Sequence, residues 1–431
     1  MIFLYNIILV VAALFAIPYY GLKMALTGKY RHSLGPKLGL GTPPDMLSMQ
    51  GEPRIWVHAV SVGEVTAAAP IVSALRKAIP QACIVVSTST ETGQAMARNI
   101  IKDASAFIYY PLDFPFVVKK ALDWVNPQVF VLTETELWPN FIDACRKRGV
   151  KVVMVNGRIS PRSYGRYYGT RFFWRRTLRH IDCMGMISET DAARIRNIGM
   201  ASDRISVLGN AKYDGLAARI SDDLAQEISS KVNIRPGEKV LVAGSTHEGE
   251  ETIIFRTYEQ LLYHYPDMKL IIVPRHIERG KAVLDMARQS GFPDSIAMTE
   301  IMAGRARQDE RVIVVDVIGE LFKIYSLATL IYCGGSLVPK GGQNILEAAA
   351  WGKVVFYGPS MEDFIDEKNI LENIGAGIPV KDGGELFQGI KALLNDPEAL
   401  RKKGEAAKAA IEANRGSSKK HADLILKVMG R

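Results

Sequence analysis

Short apolar runs alternate with longer amphipathic stretches along most of the chain, and the runs are rich in valine, isoleucine and leucine. Each run has the length of a strand, whereas the stretches between them have the apolar spacing of helices. Ten runs predict strands, at residues 55–60, 82–87, 129–132, 152–155, 184–187, 240–243, 270–273, 312–315, 330–333 and 354–357. Continuous β-branched runs separated by helices are typical of parallel sheets covered on both faces. We therefore expect an α/β protein in which both halves are Rossmann-like.

A chain of 431 residues is long enough for two domains. The polar stretch 215–238 ends in Arg-Pro-Gly and is the expected junction, although a long surface helix within one domain is the alternative. The final segment, 397–428, is rich in alanine, lysine and glutamate and predicts helix. The expected division is an anchor at 1–22, an N-terminal domain at 23–215, a linker region at 216–238 and a C-terminal domain at 239–431.

The N-terminus begins with a nearly continuous apolar run at residues 2–20. As a helix this run would extend roughly 28 Å, about the thickness of a bilayer core. Basic residues follow at Lys23, Lys29, Arg31 and Lys37, which places the folded body on the cytoplasmic side. The run thus predicts a retained single-pass membrane anchor, and a buried or interfacial helix is the alternative.

Composition and charge limit the classes of binding partner that the chain is expected to have. Hydrophobic residues make up 48% of the chain and charged residues 23%, so the chain is mostly folded. The formal charge of +9 suits an anionic lipid surface or an anionic substrate, but nothing else indicates nucleic-acid binding. The four cysteines lie far apart and form no zinc-type cluster, and no Asp-x-Asp motif follows a strand. We expect reduced thiols and no metal site.

Acidic residues follow two predicted strands of the first half. Glu64 comes after the strand at 55–60, and Glu134 and Glu136 come after the strand at 129–132. Open α/β sheets bind ligands at the carboxyl ends of their strands, so these side chains are candidates for catalysis. The alternatives are a carboxylate that complements a helix dipole, a solvated loop or a structural ion pair.

Basic residues provide further candidates in the first half. The segment 162–179 interleaves aromatic with basic side chains and suits phosphates or anionic headgroups, but a plain amphipathic surface helix is equally consistent. Lys212 lies in the loop 209–214, near the expected domain junction, and by itself indicates little.

The second half carries patterns that suit a phosphate and a ribose. The segment 244–246 lies between a strand and a helix, where backbone amides can face an anion, although a simple turn explains it too. Arg275 and His276 directly follow a strand, and an arginine offers a planar fork to a phosphate. Residues 344–347 begin a helix behind a glycine-rich loop, with Glu347 as a possible partner of ribose hydroxyls.

Taken in order, these motifs resemble the 3-deoxy-D-manno-octulosonic acid (Kdo) transferases, the lipid A Kdo transferases of glycosyltransferase family 30. The matching segments are HAVSVGE at 58–64, TETELWP at 133–139, NGRIS at 156–160, GNAKYD at 209–214, GSTHEGE at 244–250, PRH at 274–276, DVIGE at 316–320, GGS at 334–336 and GQNILE at 342–347. Each motif is short, but their order and spacing over nearly the full chain are specific.

The resemblance implies a GT-B fold, in which two Rossmann-like domains face a cleft, with an N-terminal membrane-anchor helix. It implies an inverting transfer of Kdo from CMP-Kdo to the lipid A precursor, lipid IVA, on the cytoplasmic face of the bacterial inner membrane. The N-terminal domain would bind the acceptor and the C-terminal domain CMP-Kdo. Glu64 matches the general base, and Glu134 and Lys212 match the transition-state stabilisers. The residues that match the CMP-Kdo site are Arg275, His276, Val317, Ile318, Gly319, Gly335, Ser336, Asn344, Ile345, Leu346 and Glu347.

No cofactor and no metal are expected, because no Asp-x-Asp motif follows a strand and because basic side chains and helix dipoles can neutralise a monophosphate leaving group. The expected partners are CMP-Kdo, the lipid A precursor and the inner membrane, with no nucleic acid. One alternative is a GT-B transferase or epimerase that uses a UDP-sugar. Another is an inactive membrane-tethered scaffold that retains the fold.

Overall fold

The computed structural model describes residues 2–27, 33–41, 43–46 and 49–431. The chain forms two compact units. Unit 1 comprises Met1–Gly215 and Asn414–Arg431, and unit 2 comprises Leu216–Ala413. Each unit is built around one seven-stranded sheet.

The sheet of unit 1 has the strand order β3-β2-β1-β4-β5-β6-β7, and every pairing is parallel. Its strands are β1 (Arg54–His58), β2 (Cys83–Thr88), β3 (Ala106–Tyr109), β4 (Val129–Thr133), β5 (Lys151–Gly157), β6 (Cys183–Met186) and β7 (Ile205–Val207). Its helices are α1 (Ile2–Thr27), α2 (Leu34–Lys37), α3 (Val62–Ala78), α4 (Glu91–Ile100), α5 (Pro115–Val125), α6 (Pro139–Lys147), α7 (Pro161–Gly169), α8 (Arg171–Leu178) and α9 (Glu189–Ile198). Helix α10 (Lys212–Arg219) begins in unit 1 and ends in unit 2.

The sheet of unit 2 is also parallel throughout, with the order β10-β11-β9-β8-β12-β13-β14. Its strands are β8 (Val240–Thr246), β9 (Lys269–Pro274), β10 (Ile296–Ala297), β11 (Val312–Val314), β12 (Leu330–Cys333), β13 (Val355–Tyr357) and β14 (Gly377–Pro379). Its helices are α11 (Asp222–Val232), α12 (Glu250–Leu262), α13 (Gly280–Gln289), α14 (Met298–Met302), α15 (Leu321–Leu327), α16 (Leu346–Ala350), α17 (Ile365–Asn373), α18 (Gly383–Asn395) and α19 (Pro397–Ala413). The chain then returns to unit 1 as α20 (Ser417–Val428).

Both faces of each sheet are buried, which explains the continuous apolar runs in the sequence. In unit 1 one face packs Trp56 against Phe130 and Phe141, with ring centroids 5.6 and 5.1 Å apart in edge-to-face contacts. The opposite face packs α3 and α20 over Ile55 and Val57. All ten strands predicted from the sequence are present, as two parallel α/β sheets.

The strand orders reverse at one point in each unit, where open α/β sheets bind their ligands. In unit 1 the strand β1, third in the order, has β2 on one side and β4 on the other. In unit 2 the corresponding strand β8 lies between β9 and β12. These two switch points are therefore the places at which to search for a site.

The boundaries of the second unit differ from the expected 239–431. The expected linker, 216–238, belongs to unit 2, where α11 buries Ile228 and Val232. At the other end, α20 buries Ala422 and Ile425 in the core of unit 1. Burial of these apolar side chains determines the unit to which each segment belongs.

The predicted membrane anchor lies within α1. Over the residues that the structure describes, no helix combines the length and apolarity that a membrane span requires. The prediction of a spanning anchor is therefore not supported.

Candidate active site

Glu64 lies at the switch point of unit 1, where β1 ends and the first turn of α3 begins. The residue is 9% exposed, and its Oε2 accepts a hydrogen bond from the Val60 amide at 2.7 Å. Burial is the largest of the effects that raise the pKa of Glu64 to about 8, and the negative charges of Glu134 and Glu136 add to it, whereas the Val60 amide and the Lys212 charge lower it. A carboxylate with such a pKa can accept a proton near neutral pH, as a general base does.

Glu134 and Lys212 form an ion pair at the same switch point. Glu134 directly follows β4, and its Oε1 lies 3.0 Å from Lys212 Nζ, at the start of α10. Both side chains are mostly buried, with 20% and 22% of their surface exposed. The charges of both act on the pKa of Glu64, so the structure brings together the three side chains predicted to be catalytic.

Glu136 belongs to the same acidic cluster. Burial and the charge of Glu134 raise the pKa of Glu136 to about 7. The sequence marked this residue as a candidate by its place after β4, but the family resemblance gave it no role. Two carboxyl groups with raised pKa values therefore belong to the same cluster as the ion pair.

The backbone that carries this cluster adopts unusual conformations. Glu134 has φ of 59° and Asn156 has φ of 51°, in the left-handed region that non-glycine residues seldom occupy. The Glu134 amide donates to the Val155 carbonyl at 3.0 Å, and the Asn156 Oδ1 accepts from the Ala211 amide at 2.8 Å. Such conformations persist where surrounding contacts determine them, and they concentrate at functional sites.

A second polar cluster surrounds the switch point of unit 2. Glu250, at the start of α12, is fully buried and accepts hydrogen bonds from the Tyr332 hydroxyl at 2.6 Å and from the His247 amide at 2.9 Å. It also accepts from three successive amides of the loop after β12, those of Gly335, Ser336 and Leu337, at 2.7, 3.0 and 3.0 Å. Glu250 thus fixes the loop, and these amides face a carboxylate of the protein. Glu250 is the last residue of the matching segment 244–250, but the family resemblance gave it no role.

The Ser336 hydroxyl also has a structural role. It accepts from the Gly358 amide at 2.8 Å and donates to the Cys333 carbonyl at 2.5 Å. Ser336 is fully buried, so its hydroxyl and its amide both hold the loop between β12 and β13 in place.

Arg275 and His276 follow β9, and both side chains are exposed. The ring of His247 lies 5.7 Å from that of His276 in an edge-to-face arrangement. His247 Nε2 is buried and has no partner among the protein atoms described in the structure. A buried, unpaired ring nitrogen is a place for a ligand group, so His247 joins the candidates that sequence reasoning missed.

Glu347 lies in α16, and its carboxylate forms an ion pair with one guanidinium group. Arg219 Nη1 is 3.7 Å from Glu347 Oε1, and the Arg219 guanidinium also lies 4.0 Å from the Phe322 ring centroid. Burial raises the pKa of Glu347, and the positive charges of Arg219 and Arg275 oppose that rise. The structure therefore brings Arg275 and Glu347 into one electrostatic cluster and adds Arg219 to it.

The other residues predicted to bind CMP-Kdo lie in loops at the same end of the unit 2 sheet. Val317, Ile318 and Gly319 form the loop between β11 and α15, where Ile318 is 80% exposed and Gly319 has φ of 93°. Asn344 uses its Oδ1 to accept from the Leu346 amide at 3.1 Å. Ile345, at the N-terminus of α16, is buried.

The side chains described in the structure include no group of three or more histidine, cysteine, aspartate or glutamate residues that could hold a metal ion. The expectation that catalysis needs no metal stays a prediction.

Comparison with known proteins gives concordant matches. The family model of the 3-deoxy-D-manno-octulosonic-acid transferases matches residues 32–215. A protein of Haemophilus influenzae named 3-deoxy-D-manno-octulosonic acid transferase is 30% identical over 425 residues, which cover 98% of this chain and 97% of that protein. A protein of the same name from Chlamydophila psittaci is 29% identical over 401 residues, covering 92% and 89% of the two chains.

Among solved structures, UDP-GlcNAc 2-epimerase from Neisseria meningitidis, in its complex with UDP-GlcNAc, matches with a TM-score of 0.60. The match covers 87% of this chain and 100% of the epimerase at 14% identity, which shows a common fold and nothing about the substrate. The H. influenzae relative shares 30% of its residues over almost its whole length, and its match includes both polar clusters. This chain is therefore a glycosyltransferase that belongs to the Kdo transferase family.

Proposed function

We propose that this enzyme transfers Kdo from CMP-Kdo to the lipid A precursor, lipid IVA, in lipopolysaccharide biosynthesis, with inversion at the anomeric carbon. The observation that carries the proposal is the cluster of Glu64, Glu134 and Lys212 at the switch point of unit 1. The identity of the transferred sugar is proposed from the names of the relatives.

Glu64 is the proposed general base. As the acceptor hydroxyl oxygen bonds to the anomeric carbon of Kdo, its proton passes to the Glu64 carboxylate and the bond from that carbon to the CMP phosphate breaks. A sugar hydroxyl is a poor nucleophile until a base takes its proton, and a pKa of about 8 gives Glu64 the basicity for that step. Its hydrogen bond to the Val60 amide fixes one oxygen and leaves the other for the acceptor.

Lys212 and Glu134 are the proposed electrostatic partners of the transfer. A lysine ammonium can stabilise the negative charge on the departing CMP phosphate or on the donor carboxylate. Glu134 holds the ammonium in place at 3.0 Å and can itself stabilise the positive charge that develops on the sugar. Since both are mostly buried, their charges are screened less than those of surface groups.

Unit 2 is the proposed donor-binding unit. Arg275 suits the CMP phosphate, and Glu347 suits the ribose hydroxyls. Gly335 and Ser336 contribute through the shape of the loop that Glu250 fixes, because their amides already face its carboxylate. His276, Val317, Ile318, Gly319, Asn344, Ile345 and Leu346 complete the proposed CMP-Kdo site. No metal is part of this proposal, because lysine and arginine provide the positive charge.

The proposed place of work is the cytoplasmic surface of the inner membrane. Helix α1 contacts the rest of unit 1 through Tyr5, whose hydroxyl donates to Asp113 at 2.9 Å. Elsewhere the helix leaves large apolar side chains exposed, among them Phe3 at 78% and Phe15 at 77%. An apolar helix face fixed on a folded body is suited to lie in a lipid headgroup region.

Donor selection tests the proposal against the alternative that the enzyme uses a UDP-sugar, a possibility left open by the shared epimerase fold. We expect saturation-transfer NMR to show CMP-Kdo bound to the protein and displaced by CMP but not by UDP. Arg275→Ala should weaken CMP binding, and exchange of the exposed Arg256 for alanine on α12 serves as a matched control. Binding of UDP-sugars without binding of CMP-Kdo would overturn the assignment.

A further inference from the structure

The loop that carries Lys212 is held by the last helix of the chain. Asp214, two residues beyond Lys212, accepts hydrogen bonds from the Gly416 and Ser418 amides at the start of α20, both at 2.6 Å. Gly209, at the start of the same loop, approaches α20 so closely that a Cβ there would lie 2.4 Å from Ser417 Oγ. The points at which the chain leaves unit 1 and re-enters it are thus tied together.

His421 makes the central contact between α20 and this loop. The residue is fully buried, and its Nε2 lies 3.0 Å from the Gly209 carbonyl oxygen. Its Nδ1 faces the Asn156 amide at 3.5 Å, a longer and weaker contact. A carbonyl accepts and an amide donates, so only the neutral ring with its proton on Nε2 fits both neighbours.

From His421, a short series of hydrogen bonds leads to the ion pair of the active site. Asn156 Oδ1 accepts from the Ala211 amide at 2.8 Å, and Asn210 Oδ1 accepts from the Lys212 amide at 3.0 Å. The Lys212 ammonium then meets Glu134 at 3.0 Å. The backbone of residues 209–212 is therefore fixed on one side by His421 and on the other by Asn156.

We infer that α20 is a positioning element of the active site and that His421 is its positioning residue, acting through the loop 209–212 on Lys212. The inference rests on the proposed role of Lys212 in the transfer. His421 touches neither donor nor acceptor in this account. His421 instead fixes the position of the backbone that carries Lys212. A displacement of about 1 Å in a positioned group can lower a rate by roughly 10²-fold.

The test compares His421→Leu with His421→Gln in the full-length enzyme. Leucine removes both polar contacts, whereas the glutamine amide can still donate to the Gly209 carbonyl. We expect His421→Leu to lower kcat roughly 10-fold or more with the CMP affinity unchanged, and His421→Gln to restore most of the loss. Ile425→Val is the matched control, because Ile425 is a buried core residue of α20 that is absent from this series of hydrogen bonds. It should lower the melting temperature and leave kcat unchanged.

A double-mutant cycle with Lys212→Ala separates this inference from the proposed function. If His421 acts through Lys212, His421→Leu should have little further effect on kcat in the Lys212→Ala background. Equal effects of His421→Leu in both backgrounds, or a loss of kcat that follows melting temperature across all three α20 variants, would refute the positioning role. If Lys212→Ala itself leaves kcat unchanged, the proposed function of the lysine fails first.

Discussion

Replacing Glu64 by glutamine should make the enzyme slower and unit 1 more stable. In the folded protein the pKa of Glu64 is about 8, against 4.5 for an unperturbed glutamate, because the carboxylate is buried beside other acids. The folded state therefore binds the proton more tightly than the unfolded state, and this group lowers stability as the pH rises from 4.5 towards 8. A glutamine of the same shape removes that dependence and can still accept from the Val60 amide.

The size of the effect follows from the shift in pKa. At 1.36 kcal/mol per unit, the free energy of unfolding of the variant should rise relative to that of the wild type by about 3 kcal/mol between pH 5.5 and pH 8. Turnover should fall by roughly 10² to 10⁴, the usual contribution of a positioned general base. In the wild type, kcat/KM should rise with pH until Glu64 is ionised, near pH 8.

Denaturant titration at the two pH values and single-turnover assays on the same protein test both effects. Glu189→Gln is the matched control, because Glu189 also lies in the first turn of a unit 1 helix but is exposed. It should change neither stability nor turnover appreciably. A Glu64→Gln enzyme with normal turnover would refute the base, and one whose stability relative to the wild type does not vary with pH would refute the buried, protonated carboxyl.

Four further predictions follow from the other contacts. Lys212→Ala should lower kcat and leave CMP affinity unchanged, as measured by single-turnover assay and calorimetry, and equal losses of both would contradict the role of the lysine. Glu250→Ala should lower the free energy of unfolding by more than about 3 kcal/mol in denaturant titration, because it leaves several buried donors unpaired; a near-wild-type value would show that water replaces the carboxylate. Replacing Phe3 and Phe15 by serine should reduce sedimentation with anionic vesicles without loss of melting temperature, and unchanged sedimentation would exclude this helix face as the contact. Dialysis against EDTA should leave the transfer rate unchanged, and a loss that Mg²⁺ restores would contradict metal independence.

The central strands could be predicted from the sequence, but the edges of the sheets could not. Strands such as β1 and β4 are continuous apolar runs because helices cover both of their faces. The edge strands β10 and β14 have two and three residues, and β14 contains Gly377 and Pro379, which are typical of turns. Sequences this short and this mixed carry no period that distinguishes a strand from a loop.

The roles of individual side chains are even harder to predict from the sequence than the edge strands. Glu64 and Glu250 both lie in the first turn of a helix that follows the strand at the switch point of a sheet. The structure gives Glu250 five hydrogen-bond donors and a fixed structural role, whereas the pKa of Glu64 is raised first by burial and then by neighbouring acids. The donors to Glu250 come mainly from residues 332–337, far along the chain, so no local pattern reveals them. The return of α20 to unit 1 could not be predicted either. Helical spacing predicts the helix but does not indicate the core against which the helix packs.

Product formation is the most direct test of the proposed transfer. The purified enzyme is incubated with lipid IVA and CMP-Kdo, in parallel with the Glu64→Gln variant, and the lipid is analysed by mass spectrometry. We expect the wild type to convert lipid IVA into a species heavier by one or more Kdo residues, with one CMP released for each Kdo added. The variant should form at most a trace of this product over the same time. Lipid IVA of unchanged mass with the wild-type enzyme, or equal product from both enzymes, would contradict the account.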